Sequence, residues 1–93
     1  MPVEVRLPTL LRTATAGEAS VSVEGSTVGE VLRALEVAYP GLAGQVLTDQ
    51  GELHRFVNVY VNDDDVRYLD RLETKIGLDD VVSILPAVAG GAR

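Results

Sequence analysis

The stretch STVGEVLRALEVAYPG, residues 26–41, carries the clearest structural signal in the chain. Its apolar residues recur at intervals of three and four, the spacing of an amphipathic helix with one buried face; they are Val28, Val31, Leu32, Leu35, Ala38 and Tyr39. Thr27 followed by Glu30 fits a capping box at the helix start. Pro40 and Gly41 predict its end, because proline does not continue a helix and glycine tolerates a left-handed exit.

Two alternating runs before this helix predict strands with one buried face. The first is VEVRL, residues 3–7, and the second is SVSVE, residues 20–24. ATAGEA, residues 14–19, has the composition of the loop that joins them. We therefore expect the first two strands to form a hairpin.

Three further strands are predicted after the helix. RFVNVYVN, residues 55–62, is β-branched, aromatic and strictly alternating, and VVSILPAV, residues 81–88, gives the last strand. NDDD, residues 62–65, predicts a turn into a short strand at 66–68. Between these segments the pattern is weaker. It favours a partly helical connection over 42–53 and a tight turn region over 69–78.

This order of elements is typical of the α+β class, with a mixed sheet packed on one main helix. It is the order of a β-grasp, ubiquitin-like domain with about five strands. We expect this domain to span residues 1–86 and a flexible C-terminal tail to span 87–93. The fold alone does not specify a function, since one fold hosts many.

Composition excludes several kinds of site and partner. The 93 residues suit one domain, and the absence of cysteine removes disulfides, thiolate zinc sites and a cysteine nucleophile. The single histidine, His54, cannot form a metal cluster, and no serine has a nearby base, so we expect neither a metal site nor catalytic residues. A net charge of −6 argues against nucleic acid, and no apolar run is long enough for a membrane helix. We expect a cytoplasmic protein without membrane contact.

The C-terminal run PAVAGGAR, residues 86–93, allows two interpretations. A glycine- and alanine-rich end is commonly a frayed terminus. Alternatively, a tail with small side chains can thread a narrow channel in a partner enzyme, and its residues are Ala87, Val88, Ala89, Gly90 and Gly91. These five residues extend about 17 Å at about 3.4 Å each, so Gly91 can reach a deep active site while the domain stays outside.

The sheet face opposite the helix is the predicted docking face for a partner. Its apolar members are Phe56, Tyr60, Leu85 and Pro86, and charged residues at its rim are Arg55, Arg67, Asp63 and Asp65. The acidic residues at 63–65, 70, 79 and 80 favour a solubilising surface. If they dock instead, the partner is expected to be basic.

RFVNVYVNDDDVRYL followed by DDVVSILPAVAGG resembles the C-terminal half of sulfur-carrier proteins of the ThiS/MoaD family, most closely those of the CysO type. The likeness extends to the first strand and to TVGEVLRALEVAYPGL, and so covers nearly the whole chain. It implies a carrier and not an enzyme. The carboxylate of Gly91 would be adenylated and converted to a thiocarboxylate that donates sulfur to a biosynthetic enzyme, for cysteine or a specialised metabolite.

The resemblance also implies a set of partners. They are a ubiquitin-activating-type adenylating enzyme (MoeB/ThiF/MoeZ-like) that uses ATP, a sulfurtransferase, and a sulfur-accepting synthase of the cysteine-synthase, thiosugar-synthase or thiazole-synthase kind. No cofactor is expected on the carrier itself. Ala92 and Arg93 depart from the family pattern, in which most members end at Gly-Gly. A JAMM-type metalloprotease would have to cut between Gly91 and Ala92, unless the two residues are not native or form a stub sensitive to carboxypeptidases.

Two other functions remain open at this point. The chain is also compatible with a MoaD-like small subunit of molybdopterin synthase. A third possibility is a ubiquitin-like modifier whose Gly91 is joined to lysines of target proteins.

Overall fold

The computed structural model describes residues 2–55, 57–77 and 79–86. Its strands are β1 (Pro2–Arg6), β2 (Ser20–Glu24), β3 (Val57–Val61), β4 (Asp64–Asp65) and β5 (Val81–Pro86), and its α-helix is α1 (Val28–Ala38). The sheet order is β2-β1-β5-β3-β4, in which β1 and β5 are parallel and the other neighbours are antiparallel. This mixed five-stranded sheet with a helix confirms the predicted β-grasp architecture.

The core lies between α1 and one face of the sheet. Leu32 and Leu35 from the helix, and Val59, Val82 and Ile84 from the sheet, are all fully buried. Alternate residues of each strand point to this core because side chains in a strand change sides at every step. The predicted buried valines of β1, β2 and β3 are confirmed as part of this core.

The start of α1 matches the predicted cap, with one refinement. The hydroxyl of Thr27 accepts a hydrogen bond from the backbone N–H of Glu30 at 3.2 Å. The carboxylate of Glu30 reaches back to Ser26, where it accepts from the backbone N–H at 2.9 Å and the hydroxyl at 2.8 Å. The backbone bond to Ser26, followed by the hydroxyl bond, lowers the pKa of Glu30.

The end of α1 confirms the predicted stop before Pro40 but not the predicted role of Gly41. The helix ends at Ala38, but Gly41 lies in a short 3₁₀ turn, Pro40–Leu42. It is not among the glycines with a left-handed backbone in the described ranges, which are Gly17, Gly44 and Gly51. Close packing explains a glycine at position 41, since a Cβ there would lie 3.1 Å from the Cβ of Ala14.

Three connections also differ from the sequence interpretation. The predicted short strand at 66–68 is a 3₁₀ turn, Val66–Tyr68, and the strand that pairs with β3 is β4, two residues earlier. The 42–53 connection is not helical beyond Leu42 and is closed by a bridge between Leu47 and Leu53. The predicted loop before β2, residues 14–19, is helical at its start, because the 3₁₀ segment Thr9–Thr15 extends into it.

Candidate functional site

The predicted reactive tail is attached to the middle strand of the sheet. Gly91, the threading residues 87–90 and the processing position Ala92 lie outside the described residues. The residue from which the tail continues is Pro86, the last residue of β5. Since β5 pairs with β1 on one side and β3 on the other, and Pro86 itself pairs with Val57, the point of attachment is held by the sheet.

The open face of the sheet carries two of the predicted docking residues. Leu85 pairs with Asn58 and is 46% exposed, and Tyr60 pairs with Ser83 and is half-buried. Leu85 and Tyr60 are therefore diagonal neighbours on the same side of β3 and β5, within reach of each other's side chains. Phe56, the third aromatic or aliphatic member, lies outside the described residues.

Pro86 lies on the other side of the sheet from Leu85. Its cross-strand partner is Val57, which is buried on the helix side. Consecutive residues of a strand point to opposite faces, so Leu85 and Pro86 cannot share one. The predicted docking set is thus divided between the open face and the helix side at the end of β5.

Of the predicted rim residues, two brace the structure. The half-buried Arg67 guanidinium donates to the side-chain oxygen of Asn58 and, at 3.0 Å, to the carbonyl of Val57. The carboxylate of Asp65 accepts from the backbone N–H of Arg67 at 2.8 Å. Arg55 and Asp63 are exposed. The Arg67 contacts tie the segment after β4 to β3, which sequence reasoning did not predict.

Acidic residues gather at the end of the sheet where β5 begins. Asn62 joins the two acidic turns there: its amide donates to the carboxylate of Asp80 at 3.0 Å, and its side-chain oxygen accepts from the backbone N–H of Val81 at 3.1 Å. A bond from the N–H of Gly77 at 2.7 Å, together with the Asn62 bond, lowers the pKa of Asp80. Because the six residues of β5 span about 17 Å, this acidic end is distant from Pro86.

A cleft lies at the opposite end of β5, beside the start of the tail. We call it the tail-root cleft. It has a volume of about 240 Å³ and is lined by Pro8, Leu10, Leu11, Gly44, Gln45, His54, Val57 and Pro86. Sequence reasoning missed this site. The available signal was the pair of adjacent leucines in PTLL, residues 8–11, immediately after a strand.

A second cleft, of about 410 Å³, has a mixed lining of acids, two arginines and two leucines. Its lining residues are Glu52, Leu53, Arg67, Asp70, Arg71, Leu72 and Glu73. Within the described ranges, no group of three or more histidine, aspartate or glutamate side chains is arranged to hold a metal ion. The same ranges contain no helix that is long and apolar enough to cross a membrane.

Comparison with known proteins identifies relatives over nearly the full length. The sulfur carrier protein CysO of Mycobacterium tuberculosis is 50% identical over 93 residues, which cover 98% of this chain and all of the relative. Among solved structures, the Amycolatopsis orientalis BexX/CysO complex matches with a TM-score of 0.86 and 47% identity, covering 96% of this chain and 99% of that one. SAMP1 from Haloferax volcanii matches with a TM-score of 0.81 and 32% identity, covering 98% and 100%.

The profile of the ThiS family matches residues 5–91, and so ends on the second glycine of the Gly-Gly pair. By name, its CysO relative is a carrier of sulfur and not an enzyme. The family match covers most of the chain, and the fold matches that of the ubiquitin-like CysO and SAMP structures. The chain therefore belongs to the ThiS family of ubiquitin-like sulfur carriers.

Proposed function

We propose that this protein carries sulfur as a thiocarboxylate on Gly91 and donates it to a biosynthetic enzyme. The observation that carries the proposal is the extent of the family match, which runs from β1 to Gly91 and stops there. Similarity that includes the tail supports a role for the tail as well as for the domain. The identity to a sulfur carrier protein over nearly the whole chain supports the same role.

The chemistry begins with a carboxylate that is unreactive at neutral pH. In the proposed cycle, an adenylating enzyme of the ubiquitin-activating type joins the Gly91 carboxylate to the AMP part of ATP and releases pyrophosphate. The acyl-adenylate is electrophilic at its carbonyl carbon. Hydrosulfide supplied by a sulfurtransferase then attacks this carbon, the bond to AMP breaks and a proton is released, and the product is a thiocarboxylate.

The shape of the carrier suits this cycle. The sheet holds Pro86 through its pairing with Val57, and seven residues follow it in the sequence. By covalent geometry Gly91 lies within about 17 Å of Pro86. None of the five side chains from Ala87 to Gly91 is larger than that of valine, so a narrow active-site channel suffices to admit them.

Activation requires a free carboxylate on Gly91, but Ala92 and Arg93 follow it. We propose that a metalloprotease of the JAMM type removes these two residues, which would make the full chain a precursor. The sulfur acceptor would be a synthase of the cysteine-synthase, thiosugar or thiazole kind. The name of the BexX/CysO complex supports the assembly of such carriers with a protein partner. We expect the cycle to take place in the cytoplasm.

Intact-mass analysis tests the proposal. The full chain and a chain that ends at Gly91 are each incubated with the adenylating enzyme, ATP and a sulfide source, with and without the metalloprotease. We expect the shortened chain to gain the mass of one sulfur in place of one oxygen without protease, and the full chain to do so only with protease. If the shortened chain remains an unmodified acid while a known carrier is converted, the proposal is refuted.

A second candidate function is that of a protein modifier. The similarity to SAMP1 supports this candidate, since a related structure is named small archaeal modifier protein 1. In this role the activated Gly91 would be joined to lysine side chains of target proteins. Digests of cells that express the protein would then contain lysines bearing the remnant of its tail. Thiocarboxylate formation without any such remnant would support the carrier role alone.

A further inference from the structure

The tail-root cleft combines an apolar floor with an exposed apolar lip. Leu11 and Val57 form the floor and are each 6% exposed, whereas Leu10 at the lip is 75% exposed. A large aliphatic side chain that remains in water beside an apolar cleft is a feature of interaction surfaces. At about 240 Å³ the cleft is smaller than typical small-molecule pockets and suits a protein side chain better.

The lip is held in place before any partner arrives. The 3₁₀ segment Thr9–Thr15 that carries Leu10 is tied back to the residue that follows β1, because the Arg12 side chain donates to the carbonyl of Leu7 at 3.2 Å. The fully buried Thr15 hydroxyl lies 3.1 Å from the carbonyl of Arg12 and 3.0 Å from that of Glu18. A fixed lip loses little conformational freedom on binding, which favours affinity.

Two polar side chains line the cleft, those of Gln45 and His54. The side-chain amide of Gln45 donates to the carbonyl of Gly41 at 2.7 Å. Gly44 beside it has a left-handed φ of 83°, and a Cβ at that position would meet nothing within 4 Å. The cleft is therefore open at Gly44. It offers a partner mainly apolar contact, because five of its lining residues are apolar: Pro8, Leu10, Leu11, Val57 and Pro86.

We propose that the tail-root cleft receives an apolar side chain from the mouth of the adenylating enzyme that takes in the tail. The inference rests on the proposed function. Pro86 lines the cleft and is the residue from which the tail continues, so an enzyme that reaches Gly91, within about 17 Å, must approach this rim. The acidic turns lie at the other end of β5, so the contact is apolar rather than ionic.

Three exposed apolar positions allow a matched test: Leu10 at the cleft, Leu85 on the open sheet face, and Val37 on the outer surface of α1, which is 83% exposed. Each is changed to glutamate in the chain that ends at Gly91, which gives the three variants the same net charge. Adenylation is followed by pyrophosphate release over a range of carrier concentrations. We expect Leu10→Glu to raise KM about tenfold with kcat unchanged, because it removes apolar burial, and Val37→Glu to match the wild type.

A neutral pair, Leu10→Ser and Val37→Ser, separates loss of apolar contact from added charge, and circular dichroism checks that each variant is folded. A higher KM for both Leu10 variants than for their Val37 controls supports the inference, whatever Leu85→Glu does. Equal KM values at Leu10 and Val37, with the wild type converted, overturn the inference alone. Failure of the wild type to react overturns the proposed function and this inference with it. A wild-type dimer that Leu10→Glu dissociates assigns the cleft to a second copy and also overturns it.

Discussion

The turn between β3 and β4 depends on Asn62 in two separable ways. Its backbone is left-handed, with φ at 57°, a conformation that asparagine tolerates better than alanine. Its side chain holds two hydrogen bonds, to Asp80 and to the N–H of Val81, the first residue of β5. Two substitutions separate these contributions, since glycine adopts the left-handed conformation without strain and alanine adopts it only at an energetic cost.

The expected magnitudes follow from these contacts. Both hydrogen bonds are exposed, so their loss costs about 0.5 kcal/mol each. Asn62→Gly adds about 0.5 kcal/mol of unfolded-chain entropy, for a total of about 1.5 kcal/mol. Asn62→Ala adds instead about 1.5 kcal/mol for a Cβ in the left-handed region, for a total of about 2.5 kcal/mol. The alanine variant should be the less stable by about 1 kcal/mol.

Thermal and urea unfolding followed by circular dichroism measure this difference. For a domain of this size, 1 kcal/mol corresponds to about 4–8 °C in Tm. The backbone bond from the N–H of Asn62 to the carbonyl of Val81, at 2.7 Å, is present in all three proteins and serves as the common background. If Asn62→Ala equals or exceeds Asn62→Gly in stability, the left-handed turn is not what position 62 requires. If both variants match the wild type, the side-chain bonds do not stabilise β5.

Three further predictions concern stability. The lowered pKa values of Glu30 and Asp80 mean that their stabilisation is present above the ordinary values of 4.5 and 3.8 and is lost as the pH falls through the lowered ones. The free energy of unfolding should therefore fall in this acidic range, and the Glu30→Gln, Asp80→Asn double variant should show a shallower fall in acid titrations. Leu32→Ala, at a fully buried position, should lower the free energy of unfolding by about 2–5 kcal/mol in urea titrations, and a loss under 1 kcal/mol would contradict its place in the core. Gly25→Ala should lower the free energy of unfolding by about 1–3 kcal/mol, because the new Cβ would lie 2.8 Å from the backbone nitrogen of Val31. An unchanged Tm would show that the space between residues 25 and 31 can accept a methyl group.

The helix and the main strands were predictable because their signals are local. The three-and-four spacing of α1 and the Thr27–Glu30 cap can be read within one short segment, and strict alternation defines β3. The β-grasp architecture, with a mixed sheet on one helix, was inferred from the order of elements along the chain. These features need no knowledge of contacts between distant residues.

The short connections were predicted less well because tertiary contacts decide them. Asp64 and Asp65 form a strand despite their poor β-propensity, since the left-handed Asn62 closes a two-residue turn and brings them against Val61 and Tyr60. The tail-root cleft also depends on distant segments, as Leu10, Gln45 and Pro86 meet only in the folded chain. No short segment of the sequence indicates which distant residues come into contact.

The parallel pairing of β1 with β5 has a mechanical consequence. The chain enters the sheet at Pro2 and leaves it at Pro86, and these two strands lie side by side and run in the same direction. A force that pulls the two ends apart acts along both strands, so their hydrogen bonds are sheared together instead of being opened one after another. Unfolding the domain by pulling on its two ends should therefore need more force than opening a hairpin, in which the hydrogen bonds break one at a time.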